Sequence, residues 1–131
     1  MVLFRDHDVI GKLMDLIEVH FREQKNPGFY ANQLNMTLWR INRLARIYYQ
    51  RTVYQLVQDR IHREAELLLR TTLMTAKEIA FEVGVCDPAY FSNCFKRVSG
   101  LTPLKYRGSE GKKPALLFPL DLPRRASGPE V

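Results

Sequence analysis

The apolar positions of this 131-residue chain recur every three or four residues over most of its length. This is the spacing of amphipathic helices rather than of strands. A first helix is predicted from about Asp8 to Gln24, and a longer one from about Thr52 to Arg70. Their apolar stripes are Ile10, Leu13, Met14, Ile17 and Phe21 in the first, and Val53, Leu56, Val57, Ile61, Ala65, Leu68 and Leu69 in the second. The pattern predicts an all-α fold.

Start and stop signals after the long helix predict two short helices. Thr75 and Glu78 have the spacing of a capping box, and Gly84 favours the left-handed conformation that ends a helix. Asp87 followed by Pro88 is a second start signal, because the carboxylate caps the helix and the proline ring already has a helical φ. Two short helices joined by a tight turn are typical of a helix-turn-helix motif.

The helix that follows Pro88 has two distinct faces when 100° is counted per residue. Its apolar face, predicted to pack in the core, is formed by Phe91, Cys94, Phe95 and Val98. The opposite face carries small, amide and basic side chains, namely Ala89, Asn93 and Lys96, flanked by Ser92 and Arg97. Such a face suits entry into a DNA major groove, whereas the alternative is an ordinary solvated face.

A second copy of this arrangement lies about 50 residues upstream. Asn26 and Pro27 form one start signal, Asn35 tolerates a left-handed conformation, and Thr37 caps the next helix. That helix places Leu38, Ile41, Leu44, Ala45 and Tyr48 on one face and Trp39, Asn42, Arg43 and Arg46 on the other. The repeat pairs Ala31, Leu34, Asn35 and Met36 with Ala80, Val83, Gly84 and Val85, and Ile41, Ala45, Arg46 and Thr52 with Phe91, Phe95, Lys96 and Thr102.

The tryptophan on the polar face of the upstream motif indicates a contact surface. A large aromatic side chain among Asn and Arg residues is unusual on a solvated face, and the alternative is that Trp39 folds back onto the domain. The long helix of about 19 residues spans roughly 28 Å, and adding helix widths brings the two recognition helices near the ~34 Å between successive major-groove turns. We therefore expect one chain to present two recognition helices to two adjacent groove segments. The alternative function is a protein-interaction module that uses the Trp39 face.

Charge and composition favour an anionic partner. The net charge is +6, and it is uneven: residues 1–35 have a balance of −1 and residues 36–107 a balance of +6. No apolar run approaches a membrane span and no signal peptide opens the chain, so a cytoplasmic protein without a membrane partner is expected. Cys86 and Cys94 are expected to be free thiols, and the three histidines lack metal-ligand spacing. No catalytic pattern is present, so we expect neither an enzyme nor a cofactor or metal site.

The sequence resembles the DNA-binding domain of the AraC/XylS family of bacterial transcription regulators over about residues 8–107. The residues that carry the resemblance are Glu78-Ile79-Ala80, Val83-Gly84, Tyr90-Phe91-Ser92, Phe95-Lys96, Gly100, Thr102-Pro103 and Tyr106-Arg107. The resemblance implies a seven-helix domain with two helix-turn-helix motifs that binds double-stranded promoter DNA and commonly activates transcription through contact with RNA polymerase. Two positions depart from the family pattern, with Gln50 in place of Gly and Ala45 in place of a large aromatic, which is expected to affect packing and the end of the first recognition helix.

Site residues follow from this register. The resemblance places base contacts at Trp39, Asn42 and Arg43 and at Ala89, Ser92 and Asn93, and we expect phosphate contacts from Arg40, Arg46, Lys96 and Arg97. The short side chains of the second set favour positioning through phosphates there.

The predicted organisation has four parts. Residues 1–50 form the first helix and first motif, 51–71 a linker helix, 72–107 the second motif, and 108–131 a Gly- and Pro-containing tail without regular structure. Family members usually add a ligand-sensing or dimerising domain. Its absence from this sequence predicts either a stand-alone regulator or one part of a longer protein, monomeric as an isolated domain.

Overall fold

The structure is a computed structural model that describes residues 4–110. Within this range it contains seven α-helices and no strand, which confirms the predicted fold class. The helices are α1 (Phe4–His20), α2 (Pro27–Gln33), α3 (Leu38–Tyr49), α4 (Val53–Thr71), α5 (Ala76–Glu82), α6 (Pro88–Ser99) and α7 (Pro103–Glu110).

The chain divides into two compact units within α4. The first unit reaches Arg60 and the second begins at Ile61. The first contains α1, α2, α3 and the start of α4, and the second contains the rest of α4 with α5, α6 and α7. Each unit therefore contains one of the two short-helix pairs.

The first unit is held together by apolar side chains from all four of its helical segments. Those that are buried are Ile10, Leu13, Ile17, Phe21, Tyr30, Ala31, Ile41, Leu44, Ala45, Val53, Leu56 and Val57. Burial of each of the larger ones contributes about 1.5–3 kcal/mol relative to exposure. Ala45, at the position where the resemblance implies a large aromatic, is fully buried. The Arg60 guanidinium also covers the Phe21 ring and donates two hydrogen bonds of 2.8 Å to Glu18.

The second unit has a core centred on Phe95. Its ring centroid lies 4.6 Å from that of His62, 5.3 Å from Tyr106 and 6.0 Å from Phe91. The other buried apolar side chains are Ile61, Ala65, Leu69, Ile79, Ala80 and Val83. The apolar faces of α4, α5 and α6 therefore meet in one cluster, as the periodicity predicts.

The predicted caps at the helix starts are formed. Thr75 and Glu78 exchange hydrogen bonds of 2.8 and 3.1 Å in a capping box, and Asp87 accepts from the Ala89 and Tyr90 amides. Asn26 and Thr37 cap α2 and α3 in the same way. These bonds satisfy amides that have no partner inside their own helix.

The turns that end these helices are also as predicted. Asn35 and Gly84 take positive φ values of 54° and 85° at the turns of the two motifs. After these turns, the Met36 amide donates to the Ala31 carbonyl and the Val85 amide donates to the Ala80 carbonyl, so the turns match in both copies of the repeat.

Three details differ from the sequence predictions. α1 lies nearer the N-terminus than predicted, from Phe4 to His20. The carbonyls of Phe21 and Arg22, just beyond the helix, instead accept hydrogen bonds of 3.0 and 2.6 Å from the Lys25 ammonium. α7 continues to Glu110, so the first three residues of the predicted irregular tail are helical; residues 111–131 lie outside the described part of the chain. Val98, predicted to be in the core, is 65% exposed; it lies in the last turn of α6, after the buried Phe91 and Phe95.

Candidate nucleic-acid interface

The outward face of α3 presents an aromatic ring among three arginines. Trp39 is 70% exposed, and the Arg43 guanidinium lies 6.0 Å from the centroid of its ring. Arg40, Arg43 and Arg46 are exposed, and the structure gives none of them a carboxylate partner among residues 4–110. The face therefore combines unneutralised positive charge with a stacking surface, and the indole has not folded back under the domain.

Asn42 lies on α3 between these residues but is only half exposed. Its Oδ1 accepts a hydrogen bond of 2.9 Å from the Val53 backbone amide at the start of α4. The side-chain oxygen of Asn42, a predicted base-contacting residue, is therefore already hydrogen-bonded within the first unit. Its amino group is the part that remains for a partner outside the unit.

The outward face of α6 is flatter and less charged. Ala89, Asn93 and Lys96 are exposed, as the face count predicts, whereas Ser92 is half-buried. Arg97 is exposed and donates a long hydrogen bond of 3.4 Å to the Cys94 sulfur. The two motifs therefore offer different chemistry: α3 offers long side chains, and α6 allows close approach of its backbone.

Other arginines of the two units are engaged in structural contacts. Arg51 forms a bidentate salt bridge with Asp59, in which Nε and Nη2 donate to the two carboxylate oxygens at 2.9 and 2.6 Å. Arg107 donates to the Leu69 and Thr72 carbonyls at 2.9 and 3.0 Å. The basic residues of α3 differ from these in having no such partners in the described part of the chain, although net charge alone would not distinguish the two groups.

A shallow depression on the first unit was not predicted. It has a volume of about 330 Å³ and is lined by Trp39, Arg43, Arg46 and Ile47. Ile47 is 41% exposed although its residue type suggests the core. The signal was present in the sequence, because Ile47 follows Arg43 by four residues and Trp39 by eight, which is the same face of a helix.

Other kinds of site find no support in the described residues. Residues 4–110 contain no group of three His, Cys, Asp or Glu side chains placed to hold a metal ion. None of the helices in that range combines the length and apolar character that crossing a membrane requires. Cys86 and Cys94 are both free thiols.

Comparison with known proteins agrees with this geometry. A family model described as a helix-turn-helix domain matches residues 30–109. The regulatory protein SoxS of Salmonella typhimurium is 27% identical over 99 residues, which cover 76% of this chain and 92% of SoxS. The uncharacterized HTH-type transcriptional regulator YisR of Bacillus subtilis is 42% identical over 50 residues, or 38% of this chain and 17% of YisR.

A solved structure shows the same fold. The DNA-binding domain of AdpA, a global transcriptional factor solved in complex with a target DNA, superposes with a TM-score of 0.72 at 22% identity, covering 80% of this chain and 96% of that one. Because the family model covers more than half of the sequence, the chain belongs to this helix-turn-helix family, of the AraC/XylS type. It is a DNA-binding transcription regulator and not an enzyme.

Proposed function

We propose that the chain binds promoter DNA in a sequence-specific manner and that α3 and α6 each enter a segment of the major groove. This proposal rests on the outward face of α3, where Trp39 and three arginines are exposed and the arginines have no acidic partner within residues 4–110. Guanidinium groups match the paired acceptors of guanine and the phosphate oxygens, and an exposed aromatic ring contacts a thymine methyl or stacks on sugar and base. Ile47 adds an apolar floor to the same depression.

The proposed roles separate residues that read bases from residues that hold phosphates. The base-contacting set is Trp39, Asn42 and Arg43 in α3 with Ala89, Ser92 and Asn93 in α6. The phosphate-contacting set is Arg40, Arg46, Lys96 and Arg97. Because Ala89 and Ser92 are short, α6 contributes more by close approach and phosphate contact than by reaching across the groove.

Two single substitutions test this assignment. Arg43→Ala is expected to cost about 1–3 kcal/mol of binding and to relax the preference at one base position, since it removes a contact to a base edge. Arg46→Ala is expected to weaken binding to all sequences alike and to reduce the salt slope by about one unit, since it removes one phosphate contact. Fluorescence anisotropy on cognate and scrambled duplexes at several salt concentrations measures both effects.

A matched control is available on α1. Lys12→Ala removes one positive charge from an exposed residue that already pairs with Asp8 at 3.5 Å, and it should leave both measurements unchanged. If Arg43→Ala and Arg46→Ala gave the same loss on both duplexes, the separation into base and phosphate contacts would be wrong. If binding showed no dependence on salt, the Trp39 face would fit a protein partner instead, because protein interfaces do not release condensed counterions.

The regulatory direction we propose is activation of transcription, with RNA polymerase as a second partner and the cytoplasm as the compartment. Support comes from the AraC/XylS-type family and from the likeness to SoxS, a regulatory protein. Transcription in vitro from a template that carries a selected binding site should rise when the protein is added and should not rise with Arg43→Ala. A fall in transcription would instead identify a repressor.

A further inference from the structure

The first residue of α4 has a backbone N–H that needs a partner from outside its helix. Val53 is fully buried, so water cannot serve, and an unsatisfied amide there would be costly. The partner is Oδ1 of Asn42, 2.9 Å away and 11 residues earlier in the chain. Since an N–H can pair only with an acceptor, this contact also fixes which way the Asn42 amide points.

The second copy of the repeat meets the same requirement in a different way. The offset of 50 residues pairs Val53 with Pro103, which is also buried and begins α7. Proline has no N–H, and it is favoured at the first position of a helix for that reason. The preceding residues are alike, because Thr52 and Thr102 each accept a hydrogen bond from the amide three residues later, at 3.1 and 3.3 Å. The first unit has Val53 where the second has Pro103, and it is the first unit that places Asn42 against the start of the helix.

We infer that Asn42 is a positioning residue that holds recognition helix α3 against the start of α4, in place of the proline that the second motif uses. This inference rests on the proposed function, because α3 is taken to read DNA. It also defines what Asn42 offers to a base. Selection of adenine by asparagine uses the amide oxygen and the amino group together. With its oxygen accepting from Val53, Asn42 lacks the free pair of groups that selects adenine, and its amino group alone pairs with N7 of adenine or guanine, O6 of guanine or O4 of thymine without distinguishing them.

A double-mutant cycle on the free protein tests the positioning role. Asn42→Ala should raise the unfolding equilibrium constant about fivefold, the effect of losing one buried hydrogen bond. In a chain that already carries Val53→Pro, the same substitution should change that constant less than about twofold, because no N–H remains to be satisfied. Equal effects in the two backgrounds, measured by urea denaturation, would overturn the inference.

A second variant keeps the test independent of the proline substitution. Asn42→Asp retains the acceptor and adds a negative charge at a helix N-terminus, where it is favourable. It should therefore unfold at the same urea concentration as the parent chain or a higher one, and the Val53 amide should stay as protected from hydrogen exchange as in the parent. Asn42→Ala should lose that protection. Loss of stability in Asn42→Asp equal to that in Asn42→Ala would contradict the role.

DNA selection tests the consequence for base reading. The parent chain should show no preference for adenine over guanine or thymine at the pair contacted by Asn42, and Val53→Pro, which frees the amide oxygen, should introduce a preference for adenine there. Asn42→Ala should weaken binding to the selected site, and adding Val53→Pro should restore the part of that loss that comes from the unsatisfied Val53 amide, which a base-reading role alone would not allow. A parent chain that selects adenine there would overturn the inference. If no sequence is selected at all, the proposed function fails, while the double-mutant cycle still decides the positioning role.

Discussion

Tyr30 is a buried polar side chain whose ionisation is tied to the stability of the first unit. Its hydroxyl donates a 2.6 Å hydrogen bond to the Gln24 carbonyl, and burial, with the charge of Glu23, raises its pKa to about 12 from 10.0. The unfolded chain therefore loses this proton first as pH rises. The stabilisation is fully present below pH 10 and is lost between about pH 10 and 12, with a slope of at most about 1.4 kcal/mol per pH unit.

Comparison with Tyr30→Phe isolates this contribution. We expect the difference in unfolding free energy between the parent and Tyr30→Phe to be constant up to about pH 10 and to shift in favour of the variant above it, since the variant cannot ionise. Urea denaturation at pH 8, 9, 10 and 11 measures the difference. Parallel curves over this range would show that Tyr30 ionises equally in both states.

Gln50 is a residue in a backbone conformation that favours glycine. It ends α3 with a φ of 56°, at the position where Gly100 ends α6 with a φ of 84°. Gln50→Gly should stabilise the protein by about 0.5–1 kcal/mol, because it relieves the Cβ penalty of the left-handed region.

The matched reverse change is Gly100→Ala, where an added Cβ meets no atom within 4 Å and only the φ penalty of about 1 kcal/mol remains. Shifts of the two urea midpoints in the same direction would contradict this explanation.

At the scale of helices, Arg107 fixes how α7 lies against the end of α4. Its Nε and one terminal nitrogen donate to the Leu69 and Thr72 carbonyls, which have no intrahelical donors because α4 stops at Thr71. Arg107→Ala should lower the free energy of unfolding by about 2–4 kcal/mol, since two carbonyls lose a charged partner. Arg107→Lys should recover less than half, because an ammonium lacks the fork that reaches both oxygens. Full recovery with lysine in thermal denaturation would show that charge alone is needed.

The helix scale also shows how far periodicity predicts packing. Helices α1 to α6 and the caps of α2, α3, α5 and α6 follow from residues within one turn of each other, so the sequence pattern was sufficient for them. Helix α7 was expected only from the family resemblance. Val98 was predicted wrongly, because the 100° count says which side chains share a face but not how far the covering neighbours extend. Asn42 was placed correctly on the polar side, while its hydrogen bond to Val53 was not foreseen.

At the scale of the whole molecule, two copies of one motif in one chain predict a composite binding site. Selection of bound sequences from a random duplex pool should yield two short conserved blocks about one helical turn apart, roughly 10 base pairs between centres. Arg43→Ala should relax only one of the blocks, since the residue belongs to one motif. If selection yielded only one conserved block, and substitutions in α3 or α6 did not change its length, only one of the two helix-turn-helix motifs would read DNA.

The sequence by itself determined helices α1 to α6, the capped starts of α2, α3, α5 and α6, and the polar faces of α3 and α6, because caps, turns and amphipathic periods act between residues three or four apart. Tertiary structure decided which charged and amide groups remain available. Arg51 and Arg107 are engaged in structural contacts, whereas Arg40 and Arg46 have no carboxylate partner among residues 4–110. The side-chain oxygen of Asn42 accepts a hydrogen bond from the amide of Val53, 11 residues later at the start of α4. These outcomes depend on which donor meets which acceptor after the chain has packed, and no local pattern contains that information.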